Sequence, residues 1–418
     1  MSTIRVNSIQ HTTANSGNMI LHANGNVSML TANSTLFIGN TSISNAGISI
    51  SGSAVNALNP GMRNRIINGA MMIDQRFNGA SNTNSTHTAQ YYTIDRWMNQ
   101  NFTNSGTFTS QQMNSANSSA SNYESGSAPT GFINSMKITV GTANTNPSST
   151  NSMGFGQAIE GLNVADLGFG TASAKTVTLS FWVKSSITGQ FATVLYNYDG
   201  SRVYNTAVTI NSANTWEYKT FTIPGDTTGT WYTNNNTGMW FKIYLSLGSS
   251  YQSSTTAWNA GLYYGLTGQT NFMGTSGNTF YITGVQLEAG TVATPFEFRH
   301  YGTELALCQR YLAYFGNYDQ EYIGTAFLYS TGTTGTTQSL VFPVRMRTKP
   351  TGLVTSGASN FAVSDGDSGT SLTALNLQSS NPSSMTLSFT IGASRTTFRP
   401  HTLYASALGQ YFYVSAEL

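Results

Sequence analysis

The side chains with most to offer a ligand in this 418-residue chain are aromatic and uncharged. Trp231 and Tyr232 lead into Thr233 and three consecutive asparagines, Asn234, Asn235 and Asn236; Tyr251 precedes Gln252, Trp258 precedes Asn259, and Tyr263 and Tyr264 are adjacent. An aromatic ring covers the apolar face of a pyranose, while a nearby amide or carboxylate bonds its hydroxyls. Turn segments are where such groups become available. These positions are therefore expected to contact saccharide, centred on Trp258, Tyr263 and Tyr264, with Tyr318, Tyr322 and Tyr329 in the same role nearer the C-terminus. Rings in loops also pack against neighbouring subunits. Trp97, Trp182 and Trp216 fall inside strand patterns and are expected to anchor the core, Trp97 with a structural ion pair at Asp95 and Arg96.

Other chemistries are weaker. Glu288 and Glu297, with Glu160 and Asp74 as further carboxylates, could supply the acid and the base or nucleophile of a glycosidase. That reaction needs a carboxyl raised by an apolar pocket, which no residue pattern demonstrates, and Arg76, Arg96 and Arg299 are available as ion-pair partners. No catalytic residue is expected. The string GDSG at 366–369 matches the surroundings of a chymotrypsin-like nucleophile, but none of the five histidines lies in a triad setting. Its small polar neighbours describe a surface loop, with Asp365 and Asp367 as a weak cation site. His11, His22, His87, His300 and His401 lack metal-ligand spacing, and the single Cys308 permits neither a thiolate cluster nor an intrachain disulfide. Neither metal nor cofactor is expected. Arg345, Arg347 and Lys349 alternate, so a strand there would project all three from one side, toward anionic glycan, lipopolysaccharide phosphate or solvent.

The elements that position these residues must come from an unusual composition. Charged residues make up 8% of the chain, against about 25% in ordinary soluble proteins. Amides and hydroxyls must wet the surface. Aromatics reach 12%, enough for a packed interior. A net charge of +2 gives no footprint for nucleic acid. No apolar run approaches the ~18 residues of a membrane span, and the first residues lack a secretory pattern, so membrane insertion is not expected. One cysteine suits synthesis in a reducing cytoplasm.

The fold is expected to be mainly β in three parts. Residues 1–60 are short alternating runs between Asn and Gly turns, too thin to enclose a core alone, and are expected to form a β-rich attachment and trimerising segment. Residues 61–301 read as an antiparallel jelly-roll sandwich. Within it, Val177, Leu179, Phe181 and Val183 form an apolar face, Asp199 and Gly200 mark a hairpin turn, and 239–247 is apolar enough to be buried on both faces. Residues 302–418 comprise one short helix, expected from Glu304 to about Tyr314 behind Thr303 as N-cap, and then a small β-sandwich tip.

An ordered set of motifs resembles a known family. NRIINGAMMIDQR at 64–76 and YTIDRW at 92–97 resemble the opening of the jelly-roll, carbohydrate-binding-like domain of tail-fibre proteins of tailed bacteriophages. QAIE at 157–160, SFWVKS at 180–185, WEYKT at 216–220, IPGDTTGTW at 223–231, ITGVQLEAG at 282–290, TPFEFR at 294–299, ELALCQRY at 304–311 and FPVRMR at 342–347 follow in the same order. STIRVNSI at 2–9 is similar to the starts of fibre-like proteins of marine and cyanobacterial phages. The resemblance covers about residues 60–350. It implies a homotrimeric virion appendage, made in the host cytoplasm, that joins other tail or baseplate proteins through its N-terminal segment and adsorbs to host surface polysaccharide or lipopolysaccharide. A tailspike-like glycan-degrading enzyme, and a head fibre or decoration protein that adheres nonspecifically, are the alternatives.

Overall fold

The computed structural model describes residues 8–9, 19–21, 27–29, 35–38, 41–44, 47–50, 53–55, 62–84, 90–102, 106–316, 322–328, 332–366, 369–397 and 399–418. The protein is mainly β, with several antiparallel sheets and, among the described residues, a single α-helix. In the N-terminal segment the backbone forms a three-stranded sheet from Ser8–Ile9, Met19–Leu21 and Val27–Met29. A four-stranded meander follows, from Thr35–Ile38, Thr41–Ser44, Gly47–Ile50 and Ser53–Val55.

Two six-stranded sheets make the jelly roll. The front sheet runs, in spatial order, Val203–Ile210, Gly189–Tyr196, Thr237–Leu247, Ser152–Glu160, Met98–Phe102 and Gln90–Tyr92. The back sheet runs Glu217–Ile223, Val177–Ser185, Thr279–Ala289, Asn134–Val140, Phe108–Asn114 and Asn82–Asn84. Period-2 alternation sends Phe241, Ile243 and Leu245 of the front sheet, and Val177, Leu179, Phe181 and Val183 of the back sheet, into one shared core. Trp97, fully buried there, meets Phe241 edge-on at 6.1 Å.

Thr237–Leu247 is buried throughout because its other face is covered as well. There Trp240, Lys242 and Tyr244 lie with Tyr196, Val194 and Met98, beneath Tyr251, Tyr264 and Leu266 from the 249–271 loop and beneath Leu418. Lys242 pairs in register with Gly156, where a Cβ would stand 2.6 Å from the lysine Cγ. The glycine lets the aliphatic stem cross.

The helix spans Tyr301–Gln309, so the expected start at Glu304 is corrected to three residues earlier, with His300 rather than Thr303 preceding it. It stops short of Tyr314 because Leu312–Gly316 forms a strand with Tyr411–Ser415. Alternation of Leu312, Tyr314 and Gly316 against Ala313 and Phe315 satisfies a sheet partner that the helical spacing did not reveal. Leu353–Thr355 completes that small sheet. Beside it, Tyr322–Leu328, Pro400–Ala405, Phe361–Ser364, Gly369–Ser380, Ser384–Ile391 and Thr334–Thr337 pair in succession. Thr334–Thr337 bonds both Tyr322–Leu328 and Ser384–Ile391, which closes the ring, and Leu340–Val341 adds a short edge strand to Ser384–Ile391.

Three further expectations change. Trp182 and Trp216 are half-buried on the outer face of the back sheet, not in the core: Trp182 packs on Tyr218 at 5.2 Å, and the Trp216 indole donates to the Gly126 carbonyl at 3.1 Å. Arg345, Arg347 and Lys349 do not share a strand face, because the segment bends. Arg345 reaches Ser383 at 3.0 Å, while Arg347 turns inward. Asp367 lies outside the described residues, and Asp365 pairs with Arg395 at 3.2 Å.

Candidate functional site

The hairpin that sequence marks at Asp199–Gly200 carries Tyr198 at its tip, 54% exposed. Gly200 takes the left-handed φ of 71° that the turn requires. The turn is tied internally and outward: Asn197 Nδ2 donates to Ser201 Oγ at 3.0 Å and to the Thr230 carbonyl at 3.1 Å, and its Oδ1 accepts from Arg202 N at 3.0 Å. Arg202 holds Asp226 through two bonds of 2.6 and 2.9 Å, with Asp226 buried, which fixes the loop leading to Tyr232. Gly161 N and Leu162 N donate to the carbonyls of Asn236 and Asn234 at 2.8 and 2.9 Å. The Tyr198 and Tyr232 rings therefore meet at 5.1 Å on a braced frame.

The two rings form one end of a cleft of about 260 Å³ completed by Asn236, Thr237, Arg347 and Leu418. Arg347 is positioned by the chain's own carbonyls: Nε donates to Ala416 O at 2.8 Å, Nη2 to Glu417 O at 2.7 Å and Nη1 to Asn235 O at 2.7 Å. Asn235 Nδ2 answers by donating to the Arg347 carbonyl at 3.3 Å. Burial lowers the guanidinium's pKa from its usual value, and it stays cationic. The cleft thus offers aromatic faces, an amide, a hydroxyl and a cation, with no Asp or Glu side chain among its lining residues.

Of the residues singled out from sequence, Tyr232, Asn236 and Arg347 lie in this cleft. Trp231 and Trp258 close the rim of the core instead. They meet each other at 5.4 Å and Phe169 at 4.9 and 5.8 Å, all edge-on, and their indole N–H groups are committed to the carbonyls of Thr228 (3.1 Å) and Pro224 (2.6 Å). Tyr251 and Tyr264 belong to the cover over the front sheet: Tyr264 stacks on Tyr244 at 5.5 Å, and its hydroxyl is pushed up to about 12 by burial. Tyr263 is 42% exposed and tied through its carbonyl to Asn205 at 2.9 Å. Tyr322 is 74% exposed beside Tyr404 on the C-terminal ring of strands. Tyr318 and Tyr329 lie outside the described residues. Sequence reasoning missed Tyr198 and Leu418, and it offered Arg347 to anionic glycan only as one of three charges on a strand face that does not form; the signal available for Tyr198 was a large ring at the tip of a marked hairpin.

Most of the motifs that carry the family resemblance, those at 64–76, 92–97, 157–160, 282–290, 294–299 and 304–311, form a buried bracket, while FPVRMR at 342–347 brings Arg347 to the cleft. Gln157 exchanges two bonds of 2.9 and 2.8 Å with the Ile67 backbone, and the Trp97 indole donates to Asn68 O at 2.9 Å. Glu160 takes Arg310 Nε at 2.9 Å and the Tyr311 hydroxyl at 2.7 Å. Glu417 is gripped by Arg76 at 3.1 Å and by Arg96, whose guanidinium lies 3.5 Å from the Tyr311 ring centre. Glu297 accepts from Arg63 N and Asn64 N at 3.1 and 3.0 Å, and Glu288 from Gln286 at 2.9 Å and the Thr294 hydroxyl at 2.7 Å. Asp74, raised to about 6 by burial, caps a turn through Phe77 N and Gly79 N. Each carboxylate considered for catalysis is thus committed to backbone, to arginine or, for Glu288, to Gln286 and Thr294. None lines the cleft.

No family model matches the chain. No curated protein matches it. Among solved structures, the enzymatically active domain of tailspike protein 4 from bacteriophage CBA120 aligns over 55% of this chain and 22% of its own length, at 12% identity and a TM-score of 0.28. This chain therefore spans about a fifth of that protein. TmCBM61 in complex with β-1,4-galactotriose aligns over 55% of this chain and all of its own, at 10% identity and a TM-score of 0.26. A family 11 carbohydrate-binding module from Clostridium thermocellum, in complex with a β-1,3-1,4-mixed-linked tetrasaccharide, aligns over 50% and 96%, at 12% identity and a TM-score of 0.23.

Proposed function

We propose that this protein is a non-enzymatic tail-fibre component of a tailed bacteriophage that adsorbs to host surface glycan, and that the cleft between Tyr198, Tyr232 and Arg347 is where one sugar residue is held. The observation that carries the reading is the pairing of two accessible tyrosine faces with an amide, a hydroxyl and a guanidinium on a frame already fixed by internal bonds. Such preorganisation limits the entropy lost on binding. The volume falls just below the ~300 Å³ at which drug-sized sites begin, which suits a single ring rather than a long oligosaccharide. Hydrolysis needs two carboxylates flanking the scissile bond, and the cleft lining holds no carboxylate side chain.

In this reading the fibre is a homotrimer in the virion, joined to other tail proteins through residues 1–60, and three shallow sites per fibre act by avidity. The order of the motifs between residues 64 and 347 supports the phage assignment, and the bracket that most of them build fixes the jelly roll to the segments before and after it. Tyr198→Ala tests the cleft. At an exposed hairpin tip, stability should change by less than about 1 kcal/mol, while glycan-array and whole-cell binding of the fibre fall at least tenfold. Unchanged binding would remove the cleft from the function. New reducing ends from host polysaccharide incubated with the protein would replace adsorption by hydrolysis.

A further inference from the structure

We propose that the sugar residue taken by this cleft is anionic, a ring bearing a carboxylate, and that Arg347 is the group that reads it. The inference rests on the cleft being a glycan site and adds its ligand class. The evidence is the bonding of Arg347. Arg76 pairs with Asp95 and Glu417, Arg96 with Glu417, and Arg310 with Glu160. Among the described residues Arg347 has no carboxylate within ion-pair distance; its bonds run to the three carbonyls of Asn235, Ala416 and Glu417.

This guanidinium lines the cleft. A guanidinium has five N–H groups, so three such bonds leave two, held in a plane by the groups already bound. That is the fork geometry that carboxylate and phosphate match. The carboxylate nearest in sequence to the rings, Asp199, is turned onto Ser201 N at 3.0 Å. A neutral sugar leaves the half-buried guanidinium without a carboxylate in ion-pair range, whereas an anionic one supplies it.

The test uses the full-length chain and two oligosaccharides of identical linkage, oligoglucuronate and its neutral glucose counterpart, with a glucose 6-phosphate oligomer as third probe. Calorimetry should show the acid binding roughly tenfold or more tighter than the neutral chain, as hydrogen bonds to charged groups imply, with the preference shrinking as salt rises. Arg347→Lys keeps the charge and loses the fork; it should cut the acid-to-neutral ratio severalfold, while Tyr198→Ala weakens all probes alike. If the phosphate is preferred with the same dependence on Arg347, the anion is read as phosphate and the ring-carboxylate assignment fails. Equal binding of acid and neutral probes, both lost in Tyr198→Ala, would overturn the anionic preference and leave the glycan site standing. Binding of no probe, with Tyr198→Ala indifferent on host cells, would overturn both. Should the Arg347 variant fail to fold, the wild-type ratio and its salt dependence decide.

Discussion

Lys242 sits 4% exposed on the covered face of the front sheet, with Nζ donating to Gln100 Oε1 at 2.7 Å and lying 4.6 Å from the Trp240 ring centre. Among the described residues it has no carboxylate in ion-pair range. Burial pushes its ammonium down to about 7 from 10.5. The sign follows from proton counting. Between pH 7 and 10.5 the unfolded chain holds a proton that the folded one has released, so stability rises with pH through that window and is flat below it. The full span, 3.5 pH units, corresponds to about 5 kcal/mol of order-of-magnitude burden below pH 7. The rings of Trp240, Tyr196 and Tyr244 offset part of it, by about 1–2 kcal/mol. Lys242→Met keeps the stem and removes the charge, at the cost of one bond to Gln100, about 1 kcal/mol. The variant is therefore expected to be roughly 2 kcal/mol more stable than wild type at pH 6, and slightly less stable at pH 10. Urea unfolding at pH 6, 8 and 10, followed by tryptophan fluorescence, measures the crossing. A variant weaker by the same amount at all three pH values would refute this account of the buried amine.

Two further outcomes are expected. Trp258→Ala should lose roughly 2–4 kcal/mol of stability, because the ring packs on Phe169, Tyr204 and Trp231; denaturant midpoints check this, and a loss below 1 kcal/mol would return the ring to the surface. Glu417→Gln leaves Arg76 and Arg96 buried without their shared carboxylate and should cost roughly 3 kcal/mol. Proteolysis near residue 417 and thermal unfolding would register it, and indifference of both would show that the bracket adds no net stability.

What was legible in the sequence was alternation. The inward face of Val177, Leu179, Phe181 and Val183, the two-sided burial of Thr237–Leu247 and the hairpin before Arg202 are all local patterns, and they form as read. The rings could not be sorted the same way. Whether Trp258 meets a sugar or meets Phe169 depends on a partner far along the chain, and both outcomes suit a ring beside an asparagine. The alternation of Arg345, Arg347 and Lys349 misled because it presumes a strand; the chain bends there, and Arg347 is recruited by carbonyls of the last residues. The cleft is assembled from four separated stretches, of which sequence pointed to two, Tyr232 with Asn236 and, on a strand face that does not form, Arg347.

The return of the final residues to Arg76, Arg96 and Arg347 also sets how the molecule carries tension. A pull on the C-terminal ring of strands is not borne by the polypeptide passing through the helix alone. It is shared with a second anchorage at Glu417, so stretching must shear several charged contacts at once before the covalent connection is strained. Such a joint can yield and recover, because the force that unseats it is shared among bonds that can re-form.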